Sequence, residues 1–216
     1  MNTTTLLPIG PPAGVRSTRH RAACWLLVIL LAPKHAGAAD ATGAQHHLRL
    51  SDRATRSTAS YATPRVRLVR ADGKSVWLAD ELDDGRPVVL DFVYTTCTAL
   101  CPLSSQTFAA LQEKLGSVRD RVHLVSISID PEQDTPKRLA EYSQHFDAGP
   151  QWQFYTGSGD ASLLVQRSFG AYQGDKMSHP PLTLVRTAPG NTWVRFDGFA
   201  TVTQLLTELQ GASAAP

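Results

Sequence analysis

Cysteine is scarce in this sequence, with only three among 216 residues. Small exported domains that depend on disulfide bonds for stability are rich in cysteine, so this content excludes a disulfide-stapled scaffold. Cys24 lies in the N-terminal segment, which leaves Cys97 and Cys101 as one close pair in the body of the chain. A single close pair of this kind indicates a functional site.

Long apolar runs are also missing. The run from Ala22 to Ala32 has only 11 residues, whereas a membrane-spanning helix needs roughly 20. Three arginines precede this run, and the small residues Ala36-Gly37-Ala38 follow it. This is the pattern of a secretory signal peptide. We therefore expect residues 1–38 to be a signal peptide, with an uncleaved anchor as the alternative, and the protein to be exported.

The sequence has no strong excess of charge of either sign. It contains 21 basic and 19 acidic side chains, and four of the basic ones fall within residues 1–38, which leaves 17 against 19. No basic stripe or ladder of aromatic residues follows, so the composition argues against a nucleic-acid partner. No internal repeat is present, which favours one ordinary domain for the body of the chain.

The body of the chain divides into three predicted parts. Residues 39–62 are rich in Ala, Thr, Ser and Arg without periodicity, which predicts a flexible tether. Residues 63–211 carry the apolar patterns of strands and helices and are predicted to form the ordered domain. Within it, Asp72-Gly73 between two short apolar runs predicts a hairpin. Residues 212–216 are predicted to be a disordered tail.

The cysteine pair falls between a predicted strand and a predicted helix. The run Pro87–Val93 is apolar on both faces and predicts a buried strand. Pro102 suits the first turn of a helix, and Gly116 suits its C-terminal end. Thiols at the start of a helix lose their protons more easily, because unpaired N–H groups and the positive end of the helix dipole lie there. The thiolate is both a nucleophile and a metal ligand.

Three blocks of sequence resemble the Sco/SenC family of copper chaperones. The first is Gly85-x-Pro87, followed by the strand and by Tyr94-Thr95-x-Cys97-x-x-x-Cys101-Pro102. The second is Ser128-Ile129-Asp130-Pro131-Glu132-x-Asp134-Thr135-Pro136. The third is His179, which stands just before the penultimate strands. The predicted order of elements is a β-hairpin, then βαβα, then ββα. This order and the resemblance predict an α/β protein, a thioredoxin-like three-layer α/β/α sandwich with an N-terminal β-hairpin.

The resemblance implies a function for the three side chains. A copper ion, Cu(I) or Cu(II), would be bound by Cys97, Cys101 and His179 and delivered to the binuclear copper centre (CuA) of cytochrome c oxidase. The expected partners are the copper-centre subunit of that oxidase and another periplasmic copper donor or thiol reductant. We expect a periplasmic monomer, either soluble or tethered to the outer face of the inner membrane. The family usually has an acidic residue beside the ligand histidine, where this chain has Ser178.

Two alternatives remain open on the residues alone. The chain could instead be an enzyme, a periplasmic thiol–disulfide oxidoreductase that reduces the cysteines of the copper centre, with Cys97 and Cys101 as its reactive pair.

Asp91 interrupts the apolar strand six residues before Cys97. It is either a proton acceptor for a cysteine or an edge-facing residue bonded to backbone. Pro181 resembles the cis-proline segment of thioredoxins, and Met177 is expected to pack against its neighbours.

Overall fold

The computed structural model describes residues 54–211. The predicted signal peptide, the first part of the predicted tether and the tail 212–216 lie outside the described residues. None of the helices formed by the described part of the chain is both long and apolar enough to cross a membrane.

A single eight-stranded sheet runs through the domain, in the order β1-β8-β7-β4-β5-β6-β2-β3. The three central strands β4, β5 and β6 are parallel, and every other neighbouring pair is antiparallel. The strands are β1 (Thr55–Ala59), β2 (Arg67–Arg70), β3 (Ser75–Trp77), β4 (Val88–Val93), β5 (His123–Ser128), β6 (Trp152–Thr156), β7 (Leu182–Arg186) and β8 (Trp193–Asp197).

Helices cover both faces of this sheet. They are α1 (Leu78–Leu82), α2 (Leu100–Leu115), α3 (Pro136–His145), α4 (Gly159–Ser168) and α5 (Val202–Gly211), with short 3₁₀ helices at Gly116–Arg121 and Lys176–Ser178. Buried side chains of α2, α3 and α5 pack together on one face, and those of α1 and α4 pack on the other. The three-layer α/β/α architecture and the N-terminal hairpin of β2 and β3 are therefore confirmed.

The centre of the sheet explains where the cysteine pair lies. All six residues of β4 are buried, as the apolar run predicts. The chain leaves β4 after Val93, and α2 begins at Leu100, with Pro102 in its first turn. Gly116 has a φ of 53° and ends α2 in a conformation that favours glycine. A rigid strand and a rigid helix thus hold the short connecting segment that carries Cys97.

Three local predictions need correction. The predicted tether extended to residue 62, but Thr55–Ala59 form β1 on the edge strand β8. The side chains of β1 are mostly exposed, so backbone pairing stabilises it and no apolar pattern marks it. The second apolar run of the predicted hairpin consists of Val76, Trp77 and Leu78, but Leu78 begins α1 and does not continue the strand. The described peptide bonds include no cis bond, so Pro181 is trans.

Candidate metal centre

Two free thiols lie at the start of α2. Cys97 is half-buried in the connecting segment, and Cys101 is buried within the first turn of the helix. The backbone N–H of Cys101 donates a hydrogen bond to the Cys97 sulfur over 3.3 Å. The Cys97 N–H in turn donates to the carbonyl of Tyr94 over 3.1 Å, which closes a turn. The helix start therefore presents the sulfur of Cys97 to backbone donors, as the sequence predicts.

The two thiols differ in acidity. Burial opposes ionisation of Cys97, but hydrogen bonds from the backbone N–H groups of Cys101 and Ala99 and from the Tyr94 side chain outweigh it and lower its pKa to about 7. Burial raises the pKa of Cys101 well above its usual value, and the neighbouring Cys97 adds to the effect. Cys97 is thus the reactive thiol at neutral pH, and Cys101 stays protonated until a metal or disulfide exchange draws its proton away.

A buried carboxylate fixes the segment that carries Cys97. Asp134 is fully buried, and its two oxygens accept hydrogen bonds from the Thr95 N–H at 3.1 and 3.2 Å. The hydroxyls of Thr95 and Ser128 also donate to it, each over 2.6 Å. Asp134 of the second sequence block therefore holds the backbone of the first block at Thr95. The local sequence pattern did not predict this role.

Asp91 lies at the middle of the sheet. Strand β4 has neighbours on both sides, and Asp91 is opposite Ser126 of β5 and Thr183 of β7, so it is not an edge-facing residue. The Ser126 hydroxyl donates to Oδ1 over 2.6 Å, while Oδ2 is buried without a hydrogen-bond partner. Burial raises the pKa of Asp91 to about 7, against the opposing hydrogen bond from Ser126. A carboxyl group with this pKa can take or give a proton at neutral pH.

His179 follows the 3₁₀ helix Lys176–Ser178 and is buried. Its ring meets the Phe92 ring edge-on at 6.1 Å. Burial lowers the pKa of His179, against the effect of a hydrogen bond with the Ala171 backbone, so the imidazole is neutral at pH 7. The ring atom Nε2 is buried without a hydrogen-bond partner. A neutral imidazole with a free nitrogen is in the form that binds metals.

The three predicted ligands are only partly assembled. Within residues 54–211, no three side chains of the His, Cys, Asp and Glu types are grouped as a metal site requires. The structure therefore brings Cys97 and Cys101 together and leaves His179 outside their group, with its ring packed on Phe92. The donor types nevertheless suit copper, since two soft sulfurs and one unpartnered imidazole nitrogen are available near the same end of the sheet.

The loop that carries His179 is attached to the second sequence block. Lys176 Nζ lies 2.6 Å from Oδ2 of Asp130, which is buried. A groove of about 460 Å³ lies beside this ion pair, and its lining includes Glu132, Tyr172 and His179. Because His179 lines this groove, it lies where the buried core meets the solvent.

Tyr94 is a site residue to which sequence reasoning gave no role. Its side chain is buried at the end of β4 and interacts with the Cys97 sulfur. Burial raises the pKa of Tyr94 to about 12, and the hydrogen bond with Cys97 adds to this. Its hydroxyl also lies 3.9 Å from the sulfur of Met177. The sequence indicates this role only through the position of Tyr94, at the end of the strand and at the start of the segment that carries the cysteines.

The fold and this dithiol define a class: a thioredoxin-like α/β protein whose reactive cysteines begin a helix after a central strand. Residues 54–211 match the SCO1/SenC family. The chain belongs to the SCO1/SenC family, as the three blocks predict.

Individual relatives agree with this assignment. The SCO1 protein homolog of Bacillus subtilis (strain 168) is 33% identical over 103 residues, which cover 46% of this chain and 52% of that protein. The structure of Arabidopsis thaliana ScoI with copper bound shares 27% identity and a TM-score of 0.59, covering 70% of this chain and 97% of that one. BsSco, described as a member of the Sco family of cytochrome c oxidase assembly proteins with a disulfide switch, has 22% identity and a TM-score of 0.62, covering 76% of this chain and 99% of that one. The chain spans about half the length of the curated relatives it matches.

Proposed function

We propose that this protein is a metallochaperone that binds one copper ion through Cys97, Cys101 and His179 and delivers it to the CuA centre of cytochrome c oxidase. The observation that carries the proposal is the pair of free thiols at the start of α2, one of which ionises near neutral pH. Family membership and the copper-bound Arabidopsis relative support the choice of metal. The description of BsSco as belonging to a family of oxidase assembly proteins supports the recipient.

The ligand chemistry supports a copper ion that can be passed on. Thiolates select Cu(I), and imidazole suits copper in both oxidation states. Two sulfurs and one nitrogen leave one side of the ion open to an incoming ligand from the recipient. Structural zinc sites use four ligands and are closed. Three protein ligands are therefore better suited to copper transfer than to permanent zinc binding.

The proposal requires the loop before β7 to move, so that His179 joins the two sulfurs. Nε2 of His179 has no hydrogen-bond partner to lose when the ring leaves Phe92, whereas the hydrogen bond between His179 and the Ala171 backbone has to break. The chief polar attachment of this loop is the ion pair between Lys176 and Asp130, in which the lysine side chain is 39% exposed. Asp130 is buried, so opening this pair leaves a buried carboxylate without its cation and has a cost. The bonds formed with copper have to compensate for that cost.

Competitive titration tests the ligand set. Reduced protein is titrated with Cu(I) in the presence of a colorimetric Cu(I) chelator, and one tight site is expected. His179→Ala should weaken binding by more than the roughly 10- to 100-fold that residues outside the ligand shell contribute. His145→Ala, at the end of α3 and exposed, is the matched control and should bind as the wild type does. Unchanged affinity in His179→Ala would exclude this histidine as a ligand.

A second candidate function, thiol–disulfide exchange, is favoured by Asp91. In this reaction the Cys97 thiolate attacks a disulfide of the copper centre and forms a mixed disulfide. Cys101 then attacks Cys97, which releases the reduced dithiol and leaves a Cys97–Cys101 disulfide, so two electrons pass to the substrate. Asp91 raises the pKa of Cys101 by its charge, after the larger effects of burial and of Cys97. We propose that Asp91 accepts the Cys101 proton in the second step.

Peptide reduction tests this second function. A disulfide-linked peptide carrying the two cysteines of the copper centre is mixed with reduced protein, and the mixed disulfide is followed by mass spectrometry. Asp91→Asn should leave the first attack unchanged and cause the mixed disulfide to accumulate. If wild-type protein reduces no peptide, the exchange function is excluded and copper transfer is unaffected.

We further propose that the protein works on the outer side of the bacterial inner membrane, either free or held by its N-terminal segment. The support is the arginine-preceded apolar run and the small residues after it. Cell fractionation followed by N-terminal sequencing tests this. A protein that begins at Ala39 in the periplasmic fraction is expected, and an uncleaved chain in the membrane fraction would identify an anchor.

A further inference from the structure

Met177 does not pack in the way that the sequence predicts. It is 72% exposed, the most exposed large apolar side chain among the described residues. It stands on the 3₁₀ helix Lys176–Ser178, two residues before His179. With most of its surface exposed, Met177 contributes little apolar burial to the core.

The Met177 sulfur lies close to Tyr94, the residue that ends β4 before the thiol pair. Its Sδ is 3.9 Å from the hydroxyl of Tyr94, and the same tyrosine side chain interacts with the sulfur of Cys97. Tyr94 therefore interacts with both the thioether and the reactive thiol. The thioether is open to solvent, whereas Cys97 is half-buried and Cys101 is buried. The three sulfurs thus form a series of increasing burial, from solvent to the start of α2.

We infer that Met177 is an accessory Cu(I) ligand at the mouth of the site, which receives the ion during uptake and release. This inference rests on the proposed copper function and adds a residue to it. A thioether is a soft ligand that favours Cu(I). It carries no proton and no charge, so it binds copper without a protonation step and more weakly than a thiolate. A weak, exposed ligand beside strong, buried ones speeds exchange without holding the ion.

The transfer between these sulfurs is a ligand exchange without oxidation. The Met177–copper bond breaks as the Cys97–copper bond forms, and copper remains Cu(I) throughout. The thiol proton of Cys101 leaves to solvent or to Asp91 when its sulfur binds. Release to a recipient runs through the same exchanges in reverse. The arrangement therefore needs no electron donor or acceptor.

Transfer kinetics test the inference. Cu(I) is passed from a weak soluble Cu(I) complex to reduced full-length protein in a stopped-flow instrument, and equilibrium affinity is measured separately. Met177→Leu keeps size and apolarity but removes the sulfur, and it should slow uptake by about tenfold, the low end of what residues around a metal site contribute. Its equilibrium affinity should stay close to that of the wild type. Leu103→Ala, at another exposed apolar residue, two positions after Cys101 in α2, is the control and should load at the wild-type rate.

Selenium labelling gives a direct structural readout. The sequence contains only Met1 and Met177, so selenomethionine protein carries one reporter at the site. With two equivalents of Cu(I), selenium absorption spectroscopy should find copper bonded to selenium, and this signal should vanish in Met177→Leu. Wild-type protein that binds Cu(I) tightly, loads at the same rate as Met177→Leu and shows no copper at selenium would overturn the inference alone. Protein that binds no Cu(I) would overturn the proposed function as well.

Discussion

The N–H of Cys101 donates to the sulfur of Cys97, and this contact makes two neighbouring thiols chemically unequal. Cys97 receives donors at the start of α2 and ionises near neutral pH. Cys101 is buried and keeps its proton. One sulfur is therefore ready to capture a soft metal ion or attack a disulfide, and the second completes either reaction.

This inequality predicts selective alkylation. Below the pKa of about 7 Cys97 is a thiol, and above it Cys97 is a reactive thiolate. The rate of iodoacetamide labelling at Cys97, measured by peptide mass spectrometry, should therefore rise with a midpoint near pH 7. Cys101 should stay unlabelled over the same pH range. Equal labelling of the two cysteines would contradict the assignment.

Tyr94→Phe provides a matched test of the same thiol. The phenylalanine keeps the ring in place but removes the hydroxyl that stabilises the Cys97 thiolate. The midpoint of the labelling curve should shift to higher pH. Tyr172→Phe, on an exposed tyrosine, should leave it unchanged. If the midpoint does not move in Tyr94→Phe, the Tyr94 hydroxyl does not lower the pKa of Cys97.

Asp91 should make stability depend on pH. Its pKa is about 7 in the folded protein against an ordinary 3.8, so between these values the folded state binds more protons and stability falls as pH rises. Asp91→Asn lacks this titration. The free energy of unfolding of Asp91→Asn, relative to that of the wild type, should therefore increase as pH rises from about 4 to about 8. The increase should reach up to about 4 kcal/mol, at 1.36 kcal/mol per pKa unit.

Urea unfolding at both ends of this pH range measures the effect. Asp120→Asn, on an exposed carboxylate, is the control and should show no pH-dependent gain. A difference between wild type and Asp91→Asn that is the same at both pH values would show that Asp91 does not titrate in this range.

Local sequence patterns predicted the strand and the helix that hold the cysteines, but not the position of His179 relative to them. The apolar run before the motif and Pro102 were sufficient for β4 and the start of α2, because burial and helix-start preferences are local. The strand Thr55–Ala59 left no pattern, because it is stabilised by pairing with β8 far along the chain. The ring of His179 packs against that of Phe92 in β4, a residue far away in the chain. No local spacing encodes such a contact.

Asp134 should prove essential for the geometry of the cysteine segment. Asp134→Asn places an amide N–H₂ where the carboxylate accepts bonds from Thr95 and Ser128. Loss of these hydrogen bonds should lower the free energy of unfolding by about 2–4 kcal/mol, since buried hydrogen bonds to a charged group are stronger than those between neutral groups. Urea unfolding measures this cost, and Cu(I) affinity should fall with it. Glu132→Gln, on the same turn and exposed, is the control for stability and should leave it unchanged.

Lys176 should control the mobility of the loop that carries His179. Lys176→Gln removes the ion pair with Asp130, so amide hydrogen exchange at residues 176–179 should become faster. High salt should produce a smaller change in the same direction in the wild type, because Lys176 is partly exposed but the buried Asp130 limits screening. Lys137→Gln, which affects only an exposed pair within α3, is the control. Exchange that is unaffected by both Lys176→Gln and salt would show that this ion pair does not hold the loop.

Copper absorption spectroscopy of anaerobically loaded protein tests the central claim most directly. One equivalent of Cu(I) in the wild type should be bonded to two sulfurs and one imidazole nitrogen, and His179→Ala should lose the nitrogen and keep both sulfurs. A copper shell of sulfur alone in the wild type, unchanged in His179→Ala, would contradict the account.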